Sequence, residues 1–281
     1  MPLELSTRAA TAIATIATCL TVALMPYAAT AQPGPGRAWT SDPRAEDRTY
    51  HFADTDEELP YCVFASSKIS ADEPAPLIIA LHGLGAPPQI MCNSTTIDLA
   101  EEGGYIVAAP MGYNVGGWYG SPVIRGPGGR AFGGENAPEN LSELSEKDVM
   151  NVLAMIREEF NVDESRIYLT GHSMGGAGTL FLGSKHADIW AAIAPVAPAA
   201  FSMTENRAEI LGKLKEAGVP VMIVHGADDE LVPVDLARTW VATMEELGME
   251  HEYVELPGVT HGPVITASQE HIFEFFGKHS K

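Results

Sequence analysis

The stretch Arg166-Ile167-Tyr168-Leu169-Thr170-Gly171-His172-Ser173-Met174-Gly175-Gly176 changes character twice within eleven residues. Arg166–Thr170 reads as a strand, two glycines bracket a short turn, and a helix is expected from Met174. A G-x-S-x-G pentapeptide set between a strand and a helix is a nucleophile elbow, a turn sharp enough to lift a hydroxyl above the end of a sheet. Here that hydroxyl is Ser173. Gly171 and Gly175 leave room for the turn, and Gly176 lets the new helix pack against neighbouring backbone. A glycine-rich turn holding a serine by chance needs neither the strand before it nor the helix after it.

On both sides of the elbow, short apolar runs alternate with amphipathic stretches. Strands are expected at Tyr61–Ala65, Leu77–Leu81, Tyr105–Ala109, Ala191–Val196, Val219–Val224 and Glu252–Leu256. Helices are expected at Ser94–Glu102, Ser142–Phe160, Glu205–Glu216, Val234–Leu247 and Thr266–Phe276. The second of these shows the clearest buried stripe, through Val149, Val152, Leu153, Ile156 and Phe160. Ser145 with Asp148 resembles a capping pair just ahead of that stripe. Strands alternating with helices at this spacing imply an α/β fold, a mostly parallel sheet with helices on both faces. Sites in such sheets gather at the carboxyl ends of the strands.

A serine hydroxyl needs a base to become nucleophilic, and the base needs an acid to orient it. After an elbow of this kind the order is serine, acid, histidine, each just past a strand. Past Val219–Val224 the chain reads His225-Gly226-Ala227-Asp228-Asp229-Glu230-Leu231-Val232-Pro233; past the last strand it reads Pro257-Gly258-Val259-Thr260-His261-Gly262. His261 is therefore the expected base among nine histidines. His172 is read as locked on the turn and facing away. His82 and His225 precede glycines at strand ends, where an imidazole supports a loop. His51, His186, His251, His271 and His279 need only surface or packing roles. The charge that develops on the substrate oxygen needs two backbone donors. The Met174 amide, next after the nucleophile, is one. The turn after Leu77–Leu81 should supply the other, from Leu84 or alternatively Gly85.

These segments resemble the α/β-hydrolase fold. They are similar in particular to secreted single-domain esterases related to the prolyl-oligopeptidase catalytic domain, including feruloyl esterases and polyester depolymerases. The resemblance covers about residues 55–276. It rests on Leu81-His82-Gly83-Leu84-Gly85, on Asp163–Gly176, on His225–Pro233 and on Thr260-His261-Gly262. It implies that the acid lies four residues before the Val-Pro proline, at Asp229, with Asp228 the adjacent alternative. It also implies hydrolysis of carboxylic esters, of aryl (hydroxycinnamate) or polyester-derived type, without a cofactor. A serine peptidase of prolyl-oligopeptidase type is the alternative, and a binding protein on an inactive scaffold is a third reading.

Residues 1–31 have the layout of a secretory signal peptide: a polar start to Arg8, an apolar run Ala9–Met25, and a small-residue site at Ala29-Thr30-Ala31. Cleavage before Gln32 would leave a flexible Pro- and Gly-rich lead-in at 32–46 and a catalytic domain at 47–281, in a secreted or periplasmic protein. Export would leave Cys62 and Cys92, which are expected to pair in an oxidising compartment, two buried thiols being the alternative. Neither their spacing nor that of the histidines suits a metal. A formal charge of −20, from 37 acidic against 17 basic residues, repels phosphate backbones and anionic membranes. The expected partner is a small-molecule or polymer-derived ester, with no nucleic acid and no stable membrane association. Residues 111–140 hold nine glycines and show no periodicity. Such a loop, leaving a strand on the elbow's edge, reads as a wall of the substrate cleft, with Trp118 and Tyr119 as its flat binding faces.

Overall fold

Every residue of Ala75–Leu81 is buried, because this strand runs through the middle of a sheet covered on both sides. The structure, a computed structural model, describes residues 39–123 and 137–281. Its strands are β1 (Glu46–Phe52), β2 (Glu57–Ala65), β3 (Ala75–Leu81), β4 (Ile106–Pro110), β5 (Val162–His172), β6 (Ala192–Val196), β7 (Val221–Gly226) and β8 (His251–Leu256). They form one sheet in the order β1-β2-β4-β3-β5-β6-β7-β8. From β4 to β8 neighbours are parallel; β1 and β2 add an antiparallel edge.

The helices are α1 (Ser94–Gly103), α2 (Leu141–Glu159), α3 (Met174–Lys185), α4 (Arg207–Glu216), α5 (Val234–Leu247), α6 (Val264–Ala267) and α7 (Gln269–Phe276). Strand alternation sorts them. Leu77, Ile79 and Leu81 share one core with Val152 and Ile156 of α2, Leu180 of α3, Leu214 of α4 and Trp240 of α5. Ile78 and Ala80 share the other with Ile97 of α1 and with Ile272, Phe275 and Phe276 of α7. This is the α/β-hydrolase arrangement expected from the sequence. It puts β3 beside β5, with Leu81 opposite Gly171, so the turn after β3 emerges next to the elbow.

Two boundaries differ from the sequence reading. β1 begins at Glu46, the last residue of the expected lead-in, where no strand is expected, and only Phe52 among its residues is buried. A solvated edge strand carries no apolar run, so periodicity does not reveal it. Just before it, Asp42 is buried. Its amide donates to the Cys92 carbonyl (2.8 Å), and its carboxylate accepts from Arg44 Nε (2.8 Å). The described end of the lead-in is thus packed rather than free. The expected signal segment, residues 32–38 and residues 124–136 of the glycine-rich loop lie outside the described residues. Cys62 of β2 and Cys92, just before α1, form a disulfide with Cα atoms 6.6 Å apart. No helix among the described residues is long and apolar enough to cross a membrane.

Candidate active site

β5 ends at His172 and α3 begins at Met174, leaving Ser173 alone at the corner with φ 58° and ψ −113°. That left-handed conformation costs on the order of 1–3 kcal/mol for a residue with a side chain. It is over-determined by its surroundings. The Ser173 amide donates to the Val196 carbonyl (2.9 Å), and its carbonyl accepts from Ala177 (3.0 Å) and Ala199 (2.9 Å). The glycines are obligatory by contact. A Cβ on Gly171 would lie 2.4 Å from the Gly175 carbonyl oxygen, and one on Gly175 would lie 2.2 Å from that of Leu81.

The acid loop leaves β7 and the histidine loop leaves β8, and the two are joined backbone to backbone. Ala227 donates to Leu256 (2.9 Å) and Asp228 to Val259 (3.1 Å). A Cβ on Gly226 would lie 2.3 Å from the Val259 carbonyl oxygen. Asp229 then turns inward while the Asp228 side chain is exposed. Asp229 Oδ1 accepts from the Leu231 and Val232 amides, each at 2.9 Å, and Oδ2 accepts from His261 Nδ1 at 2.6 Å. Burial pushes this carboxyl up. The hydrogen bonds from His225, His261 and the Val232 amide outweigh burial and hold it well below the usual carboxylate range. His225 supports the loop as expected, with Nε2 2.8 Å from the Val232 carbonyl oxygen and 3.4 Å from Asp229.

His172 does more than the sequence reading allows. Its ring lies 4.5 Å from that of His261, and its Nε2 donates to the His261 carbonyl at 2.9 Å. Burial, followed by the neighbouring His261, pulls its pKa down to about 3, so this ring is neutral at ordinary pH. The residue beside the nucleophile therefore packs against the expected base. No spacing rule reveals this, because the two positions are 89 residues apart.

The turn after β3 lies against Ser173: a Cβ on Gly83 would sit 3.4 Å from that of Ser173. The Gly85 amide is already committed to the Val115 carbonyl (2.8 Å). The Leu84 amide has no hydrogen-bond partner among the described residues, which favours it over Gly85 as an oxyanion donor. The Met174 amide belongs to the first turn of α3, where no partner exists within the helix.

A serine at the corner after β5, an inward aspartate bound to a histidine, and a turn that packs on the serine through Gly83 and carries the unpaired Leu84 amide now lie at the carboxyl ends of one sheet's strands. Residues 56–262 match the model of the Esterase family, described as "Putative esterase". The chain belongs to the esterase family. It is similar to feruloyl esterase B of Piromyces equi, at 30% identity over 168 residues, 59% of this chain and 28% of that protein. It is similar to cutinase 1 of Thermobifida cellulosilytica, at 36% identity over 100 residues, 36% of this chain and 34% of that one. The chain thus spans about a third or less of these curated relatives. Among solved structures it resembles that of a thermostable esterase, with a TM-score of 0.63 at 25% identity, covering 85% of this chain and 64% of the other.

In this esterase-family chain, one expectation is overturned. Trp118 and Tyr119 are not substrate faces: they are 2% and 0% exposed and belong to the core under α2 and α3. The glycines that suggested movement instead allow tight packing. A Cβ on Gly112 would meet the Tyr119 ring at 2.4 Å, and one on Gly178 would meet Tyr119 Cβ at 2.7 Å. An aromatic in a glycine-rich loop can be either a binding face or an anchor, and composition does not separate the two.

Proposed function

We propose that the protein is an exported carboxylic ester hydrolase working through an acyl-enzyme on Ser173. With Nδ1–H of His261 donated to Asp229, Nε2 carries the lone pair that takes the Ser173 proton. The serine oxygen attacks the ester carbonyl, and the Leu84 and Met174 amides receive the resulting oxyanion. His261 returns the proton to the departing alcohol. A water activated by the same ring then releases the acid and restores Ser173. The observation that carries this reading is the 2.6 Å bond between His261 and an Asp229 whose other oxygen is saturated by two amides. That anchoring keeps the acid ionised and the ring in one tautomer.

The rim supports apolar substrates. Val115, Phe201 and Leu231 are among the few exposed large apolar residues within the described residues, and they lie on the loops leaving β4, β6 and β7. All three loops touch the site: Val115 bonds to Gly85, Ala199 to Ser173 and Leu231 to Asp229. Aryl or polyester-derived esters fit such a rim, in line with the names of the feruloyl esterase and cutinase relatives. Export is supported by the N-terminal pattern and by the Cys62–Cys92 disulfide, and cleavage before Gln32 is read directly by N-terminal sequencing.

Matched p-nitrophenyl esters and aminoacyl p-nitroanilides test the reaction. Esters with aryl or medium apolar acyl groups should be hydrolysed best, and Ser173→Ala should lose on the order of a thousandfold or more in kcat. Preferential cleavage of the anilides would make the protein a peptidase. Turnover of neither would leave a binding protein.

A further inference from the structure

Ser145 and Asp148, which the sequence presents as a helix cap, sit inside α2 and are fully buried on its inner face. Their polar atoms serve the loop after β4 instead. Asp148 Oδ2 accepts from the Gly112 (2.6 Å) and Tyr113 (3.1 Å) amides, and Oδ1 accepts from the Tyr50 hydroxyl (2.5 Å). The Ser145 hydroxyl donates to the Gly112 carbonyl (2.7 Å) and accepts from the Tyr119 amide (2.9 Å). At and around these anchors the backbone is left-handed at Gly112, Tyr113, Trp118, Tyr119 and Gly120. Such a conformation in three aromatic residues persists only where the surroundings impose it.

The loop so held grips the oxyanion turn. The Tyr119 hydroxyl donates to the His82 carbonyl (3.2 Å), and the Met111 carbonyl oxygen lies 2.8 Å from His82 Nε2. The Val115 carbonyl takes the Gly85 amide (2.8 Å). Both ends of His82–Gly85 are thus fixed by Met111–Tyr119, and the free Leu84 amide lies between them. We propose that Ser145, Asp148 and Tyr119 are positioning residues for catalysis: through this loop they hold the Leu84 amide where the oxyanion forms. The proposal rests on the esterase reading above. A merely structural loop would need its bonds to α2 but not the grip on His82 and Gly85.

The test uses the full chain with a p-nitrophenyl ester and with an arylboronic acid, which mimics the tetrahedral intermediate. Tyr119→Phe keeps the buried ring and removes only the bond to His82. It should lower kcat about tenfold and leave KM within about twofold, because a small displacement of a donor costs transition-state rather than ground-state binding. Boronate affinity should weaken by the same factor. Ser145→Ala should act in the same direction, and the double variant should fall short of the product of the two, as expected within one network. Val152→Ala, in the same helix but outside the clamp, should lower Tm with kcat unchanged. If Tyr119→Phe keeps both kcat and boronate affinity, the clamp is structural only and the proposal is overturned, while the esterase reading stands. If Ser173→Ala, run alongside, retains wild-type turnover, the reading itself fails and the proposal with it. Should Ser145→Ala not fold, Tyr119→Phe decides the matter alone.

Discussion

Two buried aspartates are bonded in the same pattern and do opposite things. Asp229, past β7, gives one oxygen to two successive backbone amides and the other to a side chain; so does Asp148, in α2. The side-chain donors differ: the His261 and His225 imidazoles for Asp229, the Tyr50 phenol for Asp148. The hydrogen bonds from the His225 and His261 imidazoles and the Val232 amide, with the charge the His261 ring can carry, hold the Asp229 carboxyl low despite burial. The Tyr50 phenol stays neutral, and burial pushes the Asp148 carboxyl up past what its hydrogen bonds recover. An ionised carboxylate facing a titratable ring can stabilise a transition state. A carboxyl facing only neutral donors can hold a loop.

The largest expected difference is in turnover. Asp229→Asn should lower kcat on the order of a hundredfold or more, because the His261 imidazolium loses its negative partner. Asp228→Asn should be close to wild type, since that side chain is exposed and only its amide is used. Steady-state kinetics on both variants settles which residue is the acid, and reversed effects would move the assignment by one position. The change at the other site should be larger in stability than in kcat, which should fall in the same direction as in Ser145→Ala. Asp148→Ala leaves two loop amides and a phenol without a partner, a loss of about 1–3 kcal/mol for each buried group left unsatisfied.

The smallest effect is in pH dependence, and the two carboxyls have opposite signs. Asp229 is depressed in the folded chain, so its stabilisation is complete above the unfolded carboxylate pKa, about 4, and is lost as pH falls through its lower folded value. Asp148 is raised, so the folded chain still holds a proton that the unfolded chain has released. Stability from this group therefore falls as pH rises from about 4 through the raised value. Asp148→Asn keeps a hydrogen-bonding amide and removes the titration, so urea midpoints across pH 4 to 8 should decline less than in wild type. An identical decline would show that Asp148 ionises without cost.

Most of this contrast was legible on one side only. The elbow, the order of the three site residues and the turn after β3 follow from motifs in which local backbone chemistry dictates residue type. Gly171, Gly175 and Gly226 are glycines because backbone oxygens lie within 2.4 Å of where a Cβ would be. β1 was missed because an edge strand needs no apolar face. The roles of Ser145 and Asp148 are not legible because serine and aspartate three apart near a helix start serve equally as a cap or as buried donors and acceptors. Which of the two applies depends on what packs over that face. Here it is the loop carrying Trp118 and Tyr119, whose aromatics read equally as binding surfaces or as buried anchors in sequence and are buried in the structure. Sequence distinguishes poorly between a polar residue facing water and one facing a buried loop.

The acyl-enzyme mechanism stands or falls on the reactivity of one hydroxyl. Native protein treated with a fluorophosphonate should take up one label per chain, and peptide mapping should place it on Ser173. Labelling should be abolished in Ser173→Ala and slowed in Asp229→Asn in step with kcat. Ester hydrolysis by a chain that remains unlabelled at Ser173, or label on any other serine with matching loss of activity, would contradict it.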